Sequence, residues 1–113
     1  MFHSSNSYLR HILDEIQYLL SEVKDLEKES FLKDETIKRA FVRSLEIIGE
    51  ATKKLPDEIR TTHPEIEWKS IAGMRDRLIR NYFGVDYEIV WDVIETKIPA
   101  LLKTVEEILN REQ

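Results

Sequence analysis

The sequence predicts an all-α protein, an up-and-down bundle of four main helices with one short helical turn. Three observations carry the helical reading. Apolar residues recur at steps of three and four through long segments. No stretch alternates apolar and polar as a half-buried strand would. The chain of 113 residues holds only three Gly and three Pro, and they fall mostly between the periodic segments.

The first helix is expected over 7–29, where Leu9, Ile12, Leu13, Ile16, Leu19, Leu20, Val23 and Leu26 make one stripe and Glu27 to Ser30 a polar end. Asp34 is positioned to cap a second helix over 35–54, whose stripe is Ile37, Phe41, Leu45, Ile48 and Leu55 and which Pro56 stops. Gly49 lies inside it, where glycine costs about 1 kcal/mol against alanine. A close approach of another helix or subunit would explain it. The stretch "PDEIRTTHPEIE" reads as a short helical turn between two prolines. A third helix is expected over 67–81, with Gly84 at its exit. Asp86 can cap a fourth, 87–110, kinked or broken at Pro99. The whole of 1–113 reads as a single domain.

Composition narrows the function. With 42% apolar and 35% charged residues the chain is not a disordered polymer. It has no cysteine, so disulfides and thiolate metal sites are excluded. No apolar run approaches the roughly 20 residues that span a bilayer, and Met1 to Ser5 lacks the pattern of a signal peptide, so a cytoplasmic protein without a membrane partner is expected. The net charge of −5 argues against broad non-specific nucleic-acid binding, and no DNA partner is expected. His3, His11 and His63 are far apart and show no metal-ligand spacing.

Against that acidity, "GMRDRLIRNYFGVD" places Arg75, Arg77 and Arg80 within six positions, followed by Tyr82. On a helical wheel Trp68, Ile71, Ala72, Leu78, Ile79 and Tyr82 share a side, with Arg75 in their midst. An arginine there needs a partner. Arg39, Arg43, Glu46 and Glu50 form a charged stripe on the second helix. The structural reading is an ion pair of Arg75 with Glu46 or Glu50. The functional reading is a phosphate-binding arginine held by those carboxylates, since the planar fork of arginine suits phosphate. Arg77 and Arg80 turn away from Arg75 on the wheel, and Asp76 can pair with Arg80 across one turn.

The segment "IAGMRDRLIRNYFGVDYEIVWDVI", together with "RAFVRSLEIIGEATKKLP" and the pattern P-x-I-x-W-x-x-I-x-G-M-R, resembles the HepT family, the HEPN-domain toxins of HEPN–MNT toxin–antitoxin pairs. The resemblance covers nearly the whole chain. It implies a helical bundle that dimerises and a metal-independent endoribonuclease without cofactor. Its active sites would be built at a cleft from both subunits, with tRNA or mRNA as substrate. It also implies a nucleotidyltransferase antitoxin as partner, which silences the toxin by transferring AMP to a tyrosine. The family's signature is an arginine, four residues, a histidine, one residue and a tyrosine. Arg75 and Asp76 match its start and Tyr82 matches the AMP acceptor. Arg80 stands at the histidine position. Histidine can exchange a proton near neutrality, whereas arginine keeps its proton. The fold and the groove therefore carry over to this chain, and full activity does not. Arg80 is either native to a degenerate member or an inactivating replacement, and the intact remainder of the motif favours the second. A non-catalytic helical adaptor that binds a nucleotidyltransferase is the alternative.

Overall fold

The computed structural model describes residues 3–79 and 84–111, with side chains from residue 6 onward. Among these residues it is a bundle of eight helices, in the order α1 His3–Val23, α2 Lys28–Lys33, α3 Glu35–Lys53, α4 Asp57–Thr62, α5 Trp68–Ala72, α6 Met74–Leu78, α7 Tyr87–Thr96 and α8 Ile98–Arg111. Helix α3 is the central member and packs against α1, α2, α5, α6 and α7, while α8 closes the far side against α1 and α7.

The caps explain where the long helices begin. Asp34 sits in an extended conformation, and its Oδ1 accepts from the Ile37 backbone N–H at 3.0 Å, so α3 starts where the sequence placed it. Asp86 does the same for α7, accepting from Glu88 N at 3.1 Å and Ile89 N at 3.3 Å. The stretch between Pro56 and Pro64 folds as α4, the expected short turn.

Three expectations need correction. The first helix starts earlier and ends earlier than 7–29, and a separate short helix α2 follows it. The cause is Phe31, which is fully buried and stacks on Phe41 with ring centroids 5.3 Å apart, and against Trp91 at 5.2 Å. Placing that ring in the core re-forms the chain after the turn at 24–27. The fourth helix is two segments, but the break is at Lys97. Pro99 lies in the first turn of α8, where its missing N–H does no harm. The third helix is not continuous over 67–81. Gly73 separates α5 from α6, and Ile79 is already extended, with φ −93° and ψ 130°.

The approach of α5 and α6 to α3 runs through Gly49. A Cβ at this position would lie 2.9 Å from the Ile71 carbonyl oxygen and 3.1 Å from Met74 Cβ. Of the two approaches the sequence allowed at Gly49, the structure shows the helix–helix one. Trp68, Ile71, Met74 and Leu78 are buried on that side. The Trp68 indole N–H donates to the His63 carbonyl at 2.8 Å, which fixes the start of α5.

Candidate functional site

The third-helix region sets the site. After α6 the chain is pinned by an antiparallel bridge between Ile79 and Val85, and the Asp86 N–H donates to the Leu78 carbonyl at 2.8 Å. Gly84 completes this arrangement with φ +80°, a conformation that glycine takes at little cost. The two ends of the intervening stretch are thus held together at the foot of α6. Arg80 and Tyr82, expected at the histidine and AMP-acceptor positions, lie outside the described residues.

Arg75 does not sit in the apolar stripe as the wheel suggested. It is exposed, and so is Asp76. The break at Gly73 re-phases α6, so Met74 takes the inward position with 1% exposure and Arg75 turns out. Among the described residues the expected ion pair with Glu46 or Glu50 is not made: Glu50 pairs instead with Lys53 at 3.0 Å. Yet the same residues meet. Arg75, Arg43, Glu46, Gly49 and Glu50 line one cleft of ≈ 310 Å³ between α3 and α5–α6. The sequence-predicted group is therefore brought together as a polar cleft and not as a buried ion pair. The same glycine that admits α5 and α6 to α3 forms part of its wall.

Arg77 points elsewhere, as the wheel suggested. Its Nη1 donates to Ser70 Oγ, and it lines a different cleft of ≈ 180 Å³ with Glu67 and Lys97, which pair at 3.4 Å. His63 is 7% exposed and its Nδ1 lies 3.5 Å from Glu65 Oε2, an arrangement that sequence spacing alone does not reveal. The Glu65 carboxyl also accepts from Thr104 Oγ1 at 3.2 Å, tying the α4–α5 loop to α8. Its pKa is lowered, chiefly by its own backbone N–H, with the Thr104 hydroxyl adding to the effect. Among the described residues no group of three or more His, Asp or Glu side chains converges as a metal-ligand set, and no helix is long and apolar enough to cross a membrane.

Residues 12–108 match the family described as ribonuclease HepT-like. The chain belongs to the HepT-like family. Three relatives match over most of their lengths. It is 56% identical to "Putative RNase TTE0752" of Caldanaerobacter subterraneus subsp. tengcongensis, over 94% of this chain and 95% of that one. It is 41% identical to "Probable ribonuclease HepT" of Thermococcus cleftensis, over 89% and 92% respectively. It is 45% identical to "Putative RNase MJ1216" of Methanocaldococcus jannaschii, over 92% and 86%. No solved structure matches significantly.

Proposed function

We propose that this chain is the toxin member of a HEPN–MNT pair, an endoribonuclease fold whose cleft takes an RNA phosphate at Arg75. The observation that carries the reading is the exposed Arg75 side chain in the cleft it shares with Arg43, Glu46 and Glu50. An exposed guanidinium without an ion pair among the described residues keeps its N–H fork for a phosphate. Family membership and the names of the relatives support RNA as the ligand.

The chemistry assigns roles to the neighbouring residues. A base removes the proton of the RNA 2′-hydroxyl, whose oxygen attacks the adjacent phosphorus. An acid returns a proton to the departing 5′-oxygen. No metal or cofactor takes part. Asp76, next to Arg75, is in the polar position of the signature. Arg80 stands where the proton-transferring histidine belongs. It can hold phosphate charge but is a poor base. This chain is therefore a weakened or inactive copy. Restoring histidine is the test: Arg80→His should cleave RNA without added metal, while the parent chain should cleave slowly or not at all. If Arg80→His is as inert as the parent, the endoribonuclease reading falls and the adaptor reading stands. The adaptor reading is favoured by Arg80 itself.

Two further parts belong to this reading. The active form is a homodimer that builds its cleft from both copies, so light scattering should give the dimer mass at micromolar concentration. Tyr82 accepts AMP from the nucleotidyltransferase partner, which adds charge and bulk beside the groove and excludes RNA. With the cognate enzyme and Mg-ATP the mass should rise by one or more AMP units, and Tyr82→Phe should show no rise. Both proteins would work in the cytoplasm.

A further inference from the structure

A second cleft, of ≈ 250 Å³, opens beside the first between α1 and α3. From α1 it is lined by Tyr8 and His11, three residues apart and so on one face. From α3 and its C-cap it is lined by Arg43, Ile47, Glu50 and Lys54, spaced four, three and four. Arg43 and Glu50 also line the Arg75 cleft, so the two adjoin across a shared wall. From Arg43 to Lys54 the track follows α3 for roughly 16 Å at the helical rise. That length exceeds what a single phosphate needs.

The chemistry along the track changes. Arg75 and Arg43 begin it as exposed cations, and Lys54 ends it as another. Between them the floor is aromatic and aliphatic. Tyr8 is half-buried and packs against the core, which holds its ring in place, and Ile47 is also half-buried. The one carboxylate on the shared wall that could repel a phosphate, Glu50, is engaged by Lys53 at 3.0 Å. A flat apolar surface flanked by cations complements a nucleobase flanked by phosphates. We propose that this second cleft is a nucleobase subsite: single-stranded RNA with a phosphate at Arg75 continues over Arg43, lays a base against Tyr8 and places a further phosphate at Lys54. The inference rests on the RNA reading above and extends it, because it makes the substrate an unpaired strand. A base already stacked within a duplex has no free face to offer.

The test uses the full-length chain and fluorescence anisotropy with a labelled eight-residue oligouridylate, with a duplex RNA of equal length as comparison. The parent should prefer the single strand. Tyr8→Ala should weaken single-strand binding by about fivefold to a hundredfold, the usual range for loss of one base–aromatic stack, and Tyr8→Phe should stay close to the parent. Lys54→Gln, at an exposed position, should reduce the slope of log affinity against log salt by about 0.7, the value for one phosphate contact on a single strand. Thermal melts establish that each variant is folded. If Tyr8→Ala does not fold, the Lys54→Gln slope and photocrosslinking of an iodouridine oligomer to Tyr8 decide the matter. Loss of binding in Arg75→Ala with no change in Tyr8→Ala or Lys54→Gln overturns the subsite and leaves the phosphate reading intact. Loss in the Tyr8 and Lys54 variants with none in Arg75→Ala supports the subsite and sinks the Arg75 reading. A change of oligomer mass in Tyr8→Ala with RNA affinity unchanged means that a second copy covers this face, and it also overturns the subsite.

Discussion

Replacing Gly49 with alanine tests how closely the fold and the cleft are linked. In an unconstrained helix interior the change should stabilise by about 1 kcal/mol, because alanine loses less backbone entropy. Here the added Cβ meets the Ile71 carbonyl oxygen at 2.9 Å and Met74 Cβ at 3.1 Å. Neither atom can swing away, since one is backbone and the other is fixed to it. To reach ordinary contact, α5 must retreat from α3 by about half an ångström. Overpacking of this kind costs about 1–3 kcal/mol, so the net effect is a loss of about 0–2 kcal/mol and the centre of that range is near 1. For a chain of this size 1 kcal/mol lowers Tm by about 4 °C. Gly73→Ala is the control. Its Cβ would find only the Lys69 and Ser70 carbonyl oxygens, at 3.4 and 3.9 Å, and its φ of −91° suits any residue. It should be neutral or should raise stability by up to about 1 kcal/mol. Thermal and urea melts followed by circular dichroism separate the two. Because Gly49 also lines the Arg75 cleft, the Gly49→Ala variant should bind RNA more weakly than its stability loss explains. A Gly49→Ala protein that melts above the parent would refute the close-approach argument. One that melts lower but binds RNA normally would refute the link to the cleft.

Arg75→Ala should change stability by no more than about 0.5 kcal/mol, since the side chain is exposed and makes no ion pair among the described residues, while abolishing RNA or nucleotide binding; a large drop in the urea midpoint would mean a buried ion pair after all. Asp34→Ala removes the side chain that caps α3 at Ile37 N and should cost about 1 kcal/mol in the same melts, with Asp34→Asn recovering most of it. The lowered pKa of Glu65 sets an acid limb. A group whose folded pKa lies below its unfolded one contributes stability that is present above the unfolded value, 4.5, and lost as pH falls through the folded value. Glu65→Gln should therefore flatten the stability profile below about pH 4.5 and leave its shape above that pH unchanged; because Glu65 is largely exposed the effect is small, and an unaltered acid limb would remove Glu65 from the account.

The long helices were legible because their signals are local. Asp34 and Asp86 announce α3 and α7, and the stripe from Leu9 to Leu19 announces α1. The breaks were less so. A wheel assumes an unbroken helix, and Gly73 cannot be told from a tolerated helical glycine until the packing of Met74 against Gly49 is known. That single assumption produced the buried Arg75, which does not outlast the break at Gly73. Phe31 misled for a similar reason, because an aromatic within "EKESFLKD" carries no period of its own and is buried only through distant Phe41 and Trp91. The membership of the cleft was legible, since residues 43, 46 and 50 share a helix face by spacing alone. The Tyr8 cleft was not, because its two walls come from helices whose mutual rotation no local pattern specifies.

The charge of the Arg75 cleft carries the argument one step further. Its ionisable lining is Arg43 and Arg75 against Glu46 and Glu50, which balances formally at zero. A phosphodiester brings a negative charge; at close range Glu46 opposes it as strongly as one guanidinium attracts it, while Lys53 offsets Glu50. With Glu50 held by Lys53, one such cleft can orient a phosphate and attract it modestly through the remaining arginine charge. Further positive charge would strengthen this attraction. Arg80 follows within the same chain, and a twofold axis beside the cleft would add the other copy's Arg75 and Arg80 without adding any new element. Arginine at position 80 would then strengthen phosphate binding even as it removes the proton chemistry. A chain of this kind should grip RNA more tightly than its Arg80→His counterpart and cut it less, which is the behaviour expected of a copy whose binding outlives its catalysis.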